Sequence, residues 1–195
     1  VGGGSNFAGI AYPYLADQKT GKPPKETEFI AVESTACPSI SRGEFLYDHG
    51  DTGRITPLMK MFTLGHDFIP DPIHAGGLRY HGMAPSLSML VKHRLIEPRA
   101  YNQVEALGSA VTFAQQEGLV PAPETAHAVK AMIDEALRCK ETGEEKTMLV
   151  LMSGHGYFDM SAYEGYLNEA LKPYELPQKR INETVSNVKR LYPFA

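Results

Sequence analysis

Four short stretches of this chain carry residues that can do chemistry. The first is Gly2-Gly3-Gly4-Ser5-Asn6. Consecutive glycines let backbone amides approach an anion without Cβ obstruction. A helix starting behind them aims its N-terminus and partial positive charge at the same point. Ser5 and Asn6 add side-chain donors. The stretch holds no lysine, so it is not a Walker-type loop for nucleoside triphosphates. A glycine cradle without Lys or Mg²⁺ ligands suits a single phosphate monoester. A flexible linker is the competing reading; Asn6-Phe7 and the helix-like residues behind them weaken it.

The second stretch is Ser153-Gly154-His155-Gly156, directly after the most apolar run of the chain. Ser153 can offer a neutral hydroxyl to a ring nitrogen or an oxyanion. It lacks the GxSxG surroundings of a nucleophile, and a plain strand-to-helix turn is an equally good reading. The third is Pro121-Ala122-Pro123-Glu124-Thr125-Ala126-His127-Ala128. Its prolines fix the approach to a helix. Glu124 falls in or before the first turn, where the helix dipole favours a carboxylate in any protein. His127 shares its face by spacing. The fourth runs from His74 to Pro85, with Gly76, Gly77, Arg79, Tyr80, His81 and Gly82 packed before a helix. Arg79 suits a carboxylate or phosphate; a solvated surface arginine is the plainer alternative.

The elements that must position these residues alternate. A helix is expected over Phe7–Leu15, with Ser5 or Asn6 as cap and Pro13 as a kink. Asp17–Thr27, with Pro23 and Pro24, reads as a surface connection, and Phe29–Glu33 as a buried strand. The Gly- and Pro-punctuated stretch that follows gives no clear period, so residues 36–85 are expected to form a long loop or lid. Its end, Pro85–His93, reads as a helix. Asn102 and Glu105 form a capping-box pattern before a helix ended by Gly118. A second helix spans Thr125–Lys140 with Val129, Ile133 and Leu137 on one face, stopping near Gly143. Thr147–Met152 is expected as a second buried strand, Met160 onward as helix, and Gln178–Leu191 as a last helix. Strands alternating with helices and ending in glycine turns define an α/β fold, a mostly parallel sheet flanked by helices. Such sheets bind ligands at the carboxyl ends of their strands, where both glycine turns fall.

Composition narrows the function classes. The chain has 195 residues, 43% hydrophobic and 22% charged, with net charge −4. A chain of this size buries about 70% of its unfolded surface, enough for a real core. Nothing in the charge balance seeks nucleic acid or an anionic membrane, so neither is expected as a partner. No window is apolar enough for a span and no basic–apolar leader opens the chain, which implies a cytoplasmic setting. Cys37 and Cys139 are expected as reduced thiols. The 7 histidines show no HxxxH or HExxH spacing, so no metal site is expected. Opening on Val1 inside a motif implies part of a longer chain.

Taken in order, the four stretches resemble the cofactor-binding half of the tryptophan synthase beta chain family, pyridoxal-phosphate (PLP) enzymes of fold type II. The resemblance covers Val1 to about Asp159. It implies that Gly2, Gly3, Gly4, Ser5 and Asn6 hold the cofactor phosphate, that Glu124 lies beside the pyridine ring, and that Ser153 bonds the pyridine nitrogen. A neutral partner there limits electron build-up in the ring, which favours β-elimination over transamination or racemisation. Two departures look like the family's divergent second class. The usual GLDYPG-like segment reads Gly77-Leu78-Arg79-Tyr80-His81-Gly82, and the SGRG arginine is His155. Arg79 replaces an aspartate that recognises the serine hydroxyl, so it is expected to alter donor recognition toward an anionic leaving group such as phosphate.

The resemblance further implies a lyase of tryptophan biosynthesis. L-serine or O-phosphoserine loses its β-substituent, and indole adds to give L-tryptophan. It implies a homodimer, a possible tryptophan synthase alpha partner, and in some members a monovalent cation on backbone carbonyls near Gly2, Tyr80 and Gly82. The Schiff-base lysine lies upstream of the glycine turn in this family, so no catalytic residue is expected within these 195 residues and the chain alone is expected to be inactive. Residues 1–195 are then the cofactor-binding portion of a longer two-domain chain. A stand-alone phosphate-binding or interaction module of the same fold is the alternative.

Overall fold

The computed structural model describes residues 1–22 and 27–193. Pro23 and Pro24 of the expected surface connection lie outside them. Helix α1 (Ser5–Lys19) starts directly on the glycine turn and runs through Pro13, burying Ala11 and Leu15. Strand β1 (Ile30–Ser34) follows, then the single turn α2 (Ser39–Arg42). Strands β2 (Glu44–His49) and β3 (Leu58–Thr63) pair antiparallel, with Glu44 opposite Thr63 and His49 opposite Leu58. A 3-10 turn (Gly76–Leu78) leads to α3 (Pro85–Lys92) and then β4 (Glu97–Tyr101). β4 pairs parallel with β1, from Ile30 opposite Glu97 to Ser34 opposite Tyr101. Helices α4 (Gln103–Glu117), α5 (Pro123–Thr142), α6 (Met160–Leu167) and α7 (Gln178–Leu191) complete the order. No helix among the described residues is long and apolar enough to cross a membrane.

The parallel pair with helices packed on it is the α/β arrangement expected, and the helix ends obey local rules. Asn102 accepts from the Val104 and Glu105 amides while Glu105 reaches back to the Asn102 amide, a complete capping box. Gly118 and Gly143 end α4 and α5 in the left-handed conformation (φ 70° and 73°), which glycine adopts without a Cβ penalty.

Three expectations are corrected. Residues 36–85 are not a loop: they hold α2, the β2–β3 hairpin, the 3-10 turn and the start of α3. The hairpin hides from pattern reading because both its faces carry apolar groups. One face buries Leu46 against Ile181, Val185 and Val188 of α7. The other stacks Phe45 on Phe62, with Lys60 Nζ 4.6 Å from the Tyr47 ring centroid. Each fully buried aliphatic side chain contributes about 1.5–3 kcal/mol, so α7 is a buttress for the hairpin. Arg180 adds to it, bonding Asp71 and the Ile69 carbonyl.

Thr147–Met152 forms no strand and pairs with none among the described residues, and Leu149 is 69% exposed. An aliphatic run favours a strand through its neighbours rather than through its own backbone, and here no neighbour is present. Leu137, expected on the buried face of α5, is exposed, and Glu135 is buried instead between Arg99 and Arg138.

Candidate functional site

The glycine turn, the start of α5 and the Ser153-Gly154 turn face one groove of about 1450 Å³. One wall is Gly2–Asn6. Ser5, Asn6 and Phe7 precede the first intrahelical bond, from the Ala8 amide to the Gly4 carbonyl. Their amides are therefore the orphan donors of α1. Gly4 caps the helix with no side-chain acceptor, and no acidic residue occupies the first turn, so the helix itself offers no anion there.

The glycines are required by space as well as by conformation. A Cβ at Gly2 would lie 2.0 Å from the Gly77 carbonyl oxygen. Gly4 has φ +99°, and its Cβ would lie 2.8 Å from both Leu87 Cδ2 and Met83 Sδ. The Gly3 carbonyl accepts the Ala84 amide at 3.0 Å, and the Val1 nitrogen donates to the Val32 carbonyl. The turn is thus sewn to α3 and β1. Gly2→Ala is expected to destabilise the chain by about 1–3 kcal/mol, the cost of forcing a methyl into a packed site. Urea denaturation measures it, and an unchanged midpoint would contradict the backbone contact.

The opposite wall begins at Pro123. Glu124 Oε1 accepts the Gly77 amide at 2.8 Å, tying the 3-10 turn to the start of α5. The chain before α5 pairs with the Ser153 turn. The Ala122 amide donates to the Gly154 carbonyl at 3.0 Å and the Gly156 amide to the Val120 carbonyl at 2.8 Å. A Cβ at Gly156 would lie 2.4 Å from the Pro121 carbonyl oxygen, so this close crossing requires glycine. Ser153 Oγ lies 2.9 Å from Thr125 Oγ1. Thr125 is buried, lines the groove and was not singled out from sequence; only its place beside Glu124 could have marked it.

The structure therefore brings Gly2, Gly3, Gly4, Ser5, Asn6, Glu124 and Ser153 around one groove. It does not bring Arg79 there. The Arg79 guanidinium donates to the Pro70 carbonyl at 2.8 Å and lies outside the lining that Gly77 and Leu78 enter. The carbonyls of this proline-flanked loop have no ladder partners and take guanidinium donors instead: Arg79 on Pro70, Arg180 on Ile69. In this structure Arg79 anchors the loop at Pro70. His127 is also outside the groove; it is buried and donates from Nδ1 to the Pro123 carbonyl at 2.8 Å. His155 is exposed and packs against Tyr157 and Phe158. Of the positions expected near cation carbonyls, Tyr80 and Gly82 line a second cavity of about 240 Å³, whereas Gly2 lines the groove.

Lys146 is the lysine that lines the groove among the described residues. It bonds Glu28 at 2.7 Å, and that hydrogen bond raises its pKa above the ordinary value. This is the wrong direction for an amine that must act as a nucleophile near neutral pH.

Unpaired amides at the head of α1 and the Ser153 hydroxyl line one groove, a donor set that suits a phosphate-bearing ligand. Residues 1–154 match the family model described as pyridoxal-phosphate dependent enzyme, and the chain belongs to that family. Within it, the chain is 60% identical over 172 residues to tryptophan synthase beta chain 2 of Aquifex aeolicus, covering 88% of this chain and 40% of the relative. It is 56% identical over 175 residues to the tryptophan synthase beta chain of Thermococcus onnurineus, covering 90% and 39%. Against tryptophan synthase beta chain 2 of Pyrococcus furiosus the figures are 54%, 90% and 39%. The chain thus spans about two fifths of the length of the curated relatives it matches.

The residues present fit the phosphate and ring of PLP. The glycine turn packs so closely on Gly77, Met83 and Leu87 that a Cβ at Gly2 or Gly4 would displace it, and Ser153 lines the same groove.

Proposed function

We propose that this chain is the cofactor-binding portion, residues 1–195, of a longer two-domain tryptophan synthase beta-type lyase. That enzyme replaces the β-substituent of L-serine, or of O-phosphoserine, with indole to give L-tryptophan. The observation that carries the reading is the convergence of Gly2–Asn6, Glu124 and Ser153 on one groove, in a chain 53–60% identical to such enzymes. PLP supplies the electron sink for charge developing at the amino-acid α-carbon.

Each residue has a role within that reading. The amides of Ser5, Asn6 and Phe7 and the dipole of α1 hold the phosphate. Glu124 keeps the 3-10 turn against α5 and presents its carboxylate beside the ring. Ser153 donates to the ring nitrogen, and a neutral donor leaves that nitrogen unprotonated. Less charge is then drawn into the ring, which favours loss of the β-substituent over transamination. The lysine that binds the cofactor covalently belongs to the portion preceding the glycine turn in the relatives. A homodimer, an alpha-type partner and a monovalent cation on the carbonyls around Gly82 complete the proposal.

The longer enzyme supplied with PLP, serine and indole is expected to form tryptophan, and Ser153→Asp to lower kcat at least tenfold by protonating the ring nitrogen. Residues 1–195 alone are expected to form none. Full activity from residues 1–195, or a longer enzyme with no cofactor absorbance and no response to serine, would remove the reading.

A further inference from the structure

We propose that Thr125 is a positioning residue that fixes the Ser153 hydroxyl as a hydrogen-bond donor toward the cofactor ring, an inference that rests on the function proposed above. The argument is one of proton accounting. A hydroxyl has one proton and two lone pairs. If Ser153 gives its proton to Thr125, it can meet a ring nitrogen only as an acceptor, which calls for a protonated ring. If Thr125 gives its proton to Ser153, the Ser153 proton is free for the ring, and the nitrogen stays neutral.

The surroundings select the second arrangement. Thr125 has two acceptors within reach, Ser153 Oγ at 2.9 Å and the Gly154 carbonyl at 3.4 Å. The Gly154 carbonyl already accepts the Ala122 amide at 3.0 Å. A helical threonine usually bonds the carbonyl one turn back. That carbonyl belongs to Pro121, and it accepts the Tyr163 hydroxyl at 2.5 Å. The shortest and least contested acceptor for the Thr125 proton is Ser153. Accepting that proton also polarises the Ser153 O–H and strengthens it as a donor. Thr125 is 1% exposed, so its own hydroxyl does not turn to solvent.

The test uses the longer enzyme loaded with PLP labelled with ¹⁵N at the ring nitrogen. Thr125→Val removes the hydroxyl; Thr125→Ser retains it and removes the methyl. Thr125→Val is expected to weaken PLP binding about fivefold, the worth of one hydrogen bond, and to move the ¹⁵N resonance toward its position in Ser153→Ala. Thr125→Ser is expected to keep the wild-type resonance. Combining Thr125→Val with Ser153→Ala should add nothing to Ser153→Ala alone, because the threonine acts through the serine. Circular dichroism checks that each variant folds. A resonance shifted by Thr125→Ser and not by Thr125→Val assigns the residue to packing and overturns the proposal, as do additive effects in the double substitution. Should Thr125→Val not fold, Thr125→Ser and Thr125→Ala decide it: a wild-type resonance in the alanine variant overturns the proposal. A wild-type enzyme that holds no labelled cofactor removes the functional reading first, and this inference with it.

Discussion

Glu33→Ala is expected to cost about 2–6 kcal/mol, the cost of leaving two buried hydrogen-bond donors without their acceptor. That is a large share of the roughly 5–15 kcal/mol by which a typical domain is stable. Glu33 is 1% exposed, and its whole hydrogen-bonding capacity is in use. Oε1 accepts the Ser41 amide at 2.8 Å and the Ser41 hydroxyl at 2.5 Å. Oε2 accepts the Ile40 amide at 3.1 Å and the Ser39 hydroxyl at 3.3 Å. Alanine leaves the Ile40 amide and the Ser39 hydroxyl buried without an acceptor, at about 1–3 kcal/mol each, while the exposed Ser41 donors turn to water. Glu33→Gln is expected to cost less, because it keeps the shape and one acceptor oxygen while turning an amide N–H₂ toward donors. Burial pushes the Glu33 carboxyl above its ordinary pKa, against the opposing pull of the Ser41 and Ile40 donors.

The consequence reaches the site. β1 carries Glu33 next to Val32, whose carbonyl receives the Val1 nitrogen at the head of the glycine turn. Loosening the β1–α2 junction therefore loosens the cradle. Urea denaturation of wild type and both variants checks the order. A loss below about 1 kcal/mol for Glu33→Ala would show that the donors find other acceptors.

How much of this was legible in the sequence depends on the range of the interaction. Elements specified by neighbours along the chain were readable: the Asn102 capping box, the glycine ends of α4 and α5, and α7 over Gln178–Leu191. The glycine cradle was readable because its chemistry is backbone chemistry at consecutive positions. Elements specified from elsewhere were not. β4 reads Glu-Pro-Arg-Ala-Tyr, with a proline and two charges, and is a strand because β1 lies beside it. Thr147–Met152 shows the reverse case, strand composition without a neighbour. The hairpin depends on α7, over a hundred residues away. In the site, Glu124 and Ser153 stood out by residue type. Thr125 mattered only once Ser153, 28 residues on, was seen to lie against it.

Acid is expected to destabilise the chain through His127, by about 3 kcal/mol between about pH 6.5 and pH 4. Burial lowers the His127 pKa from 6.5 to about 4, and each pKa unit is worth about 1.4 kcal/mol. The sign follows from proton counting. Within this window the unfolded chain binds a proton at this position and the folded chain does not, so stability rises with pH and is complete above about 6.5. The geometry gives the cause. Nδ1 donates to the Pro123 carbonyl, which leaves Nε2 as a buried acceptor with no partner among the described residues. A proton there would be a charge without an acceptor or water. The bonded carbonyl lies at the first residue of α5, next to Glu124 and Thr125. Acid that opens this contact therefore loosens one wall of the groove before global unfolding. His127→Leu removes the titrating group and is expected to flatten this part of the profile. Urea midpoints at pH 7 and pH 4.5 for both chains measure it, and the difference between chains cancels the carboxylates that titrate in the same range. Parallel profiles would assign the acid sensitivity to another group.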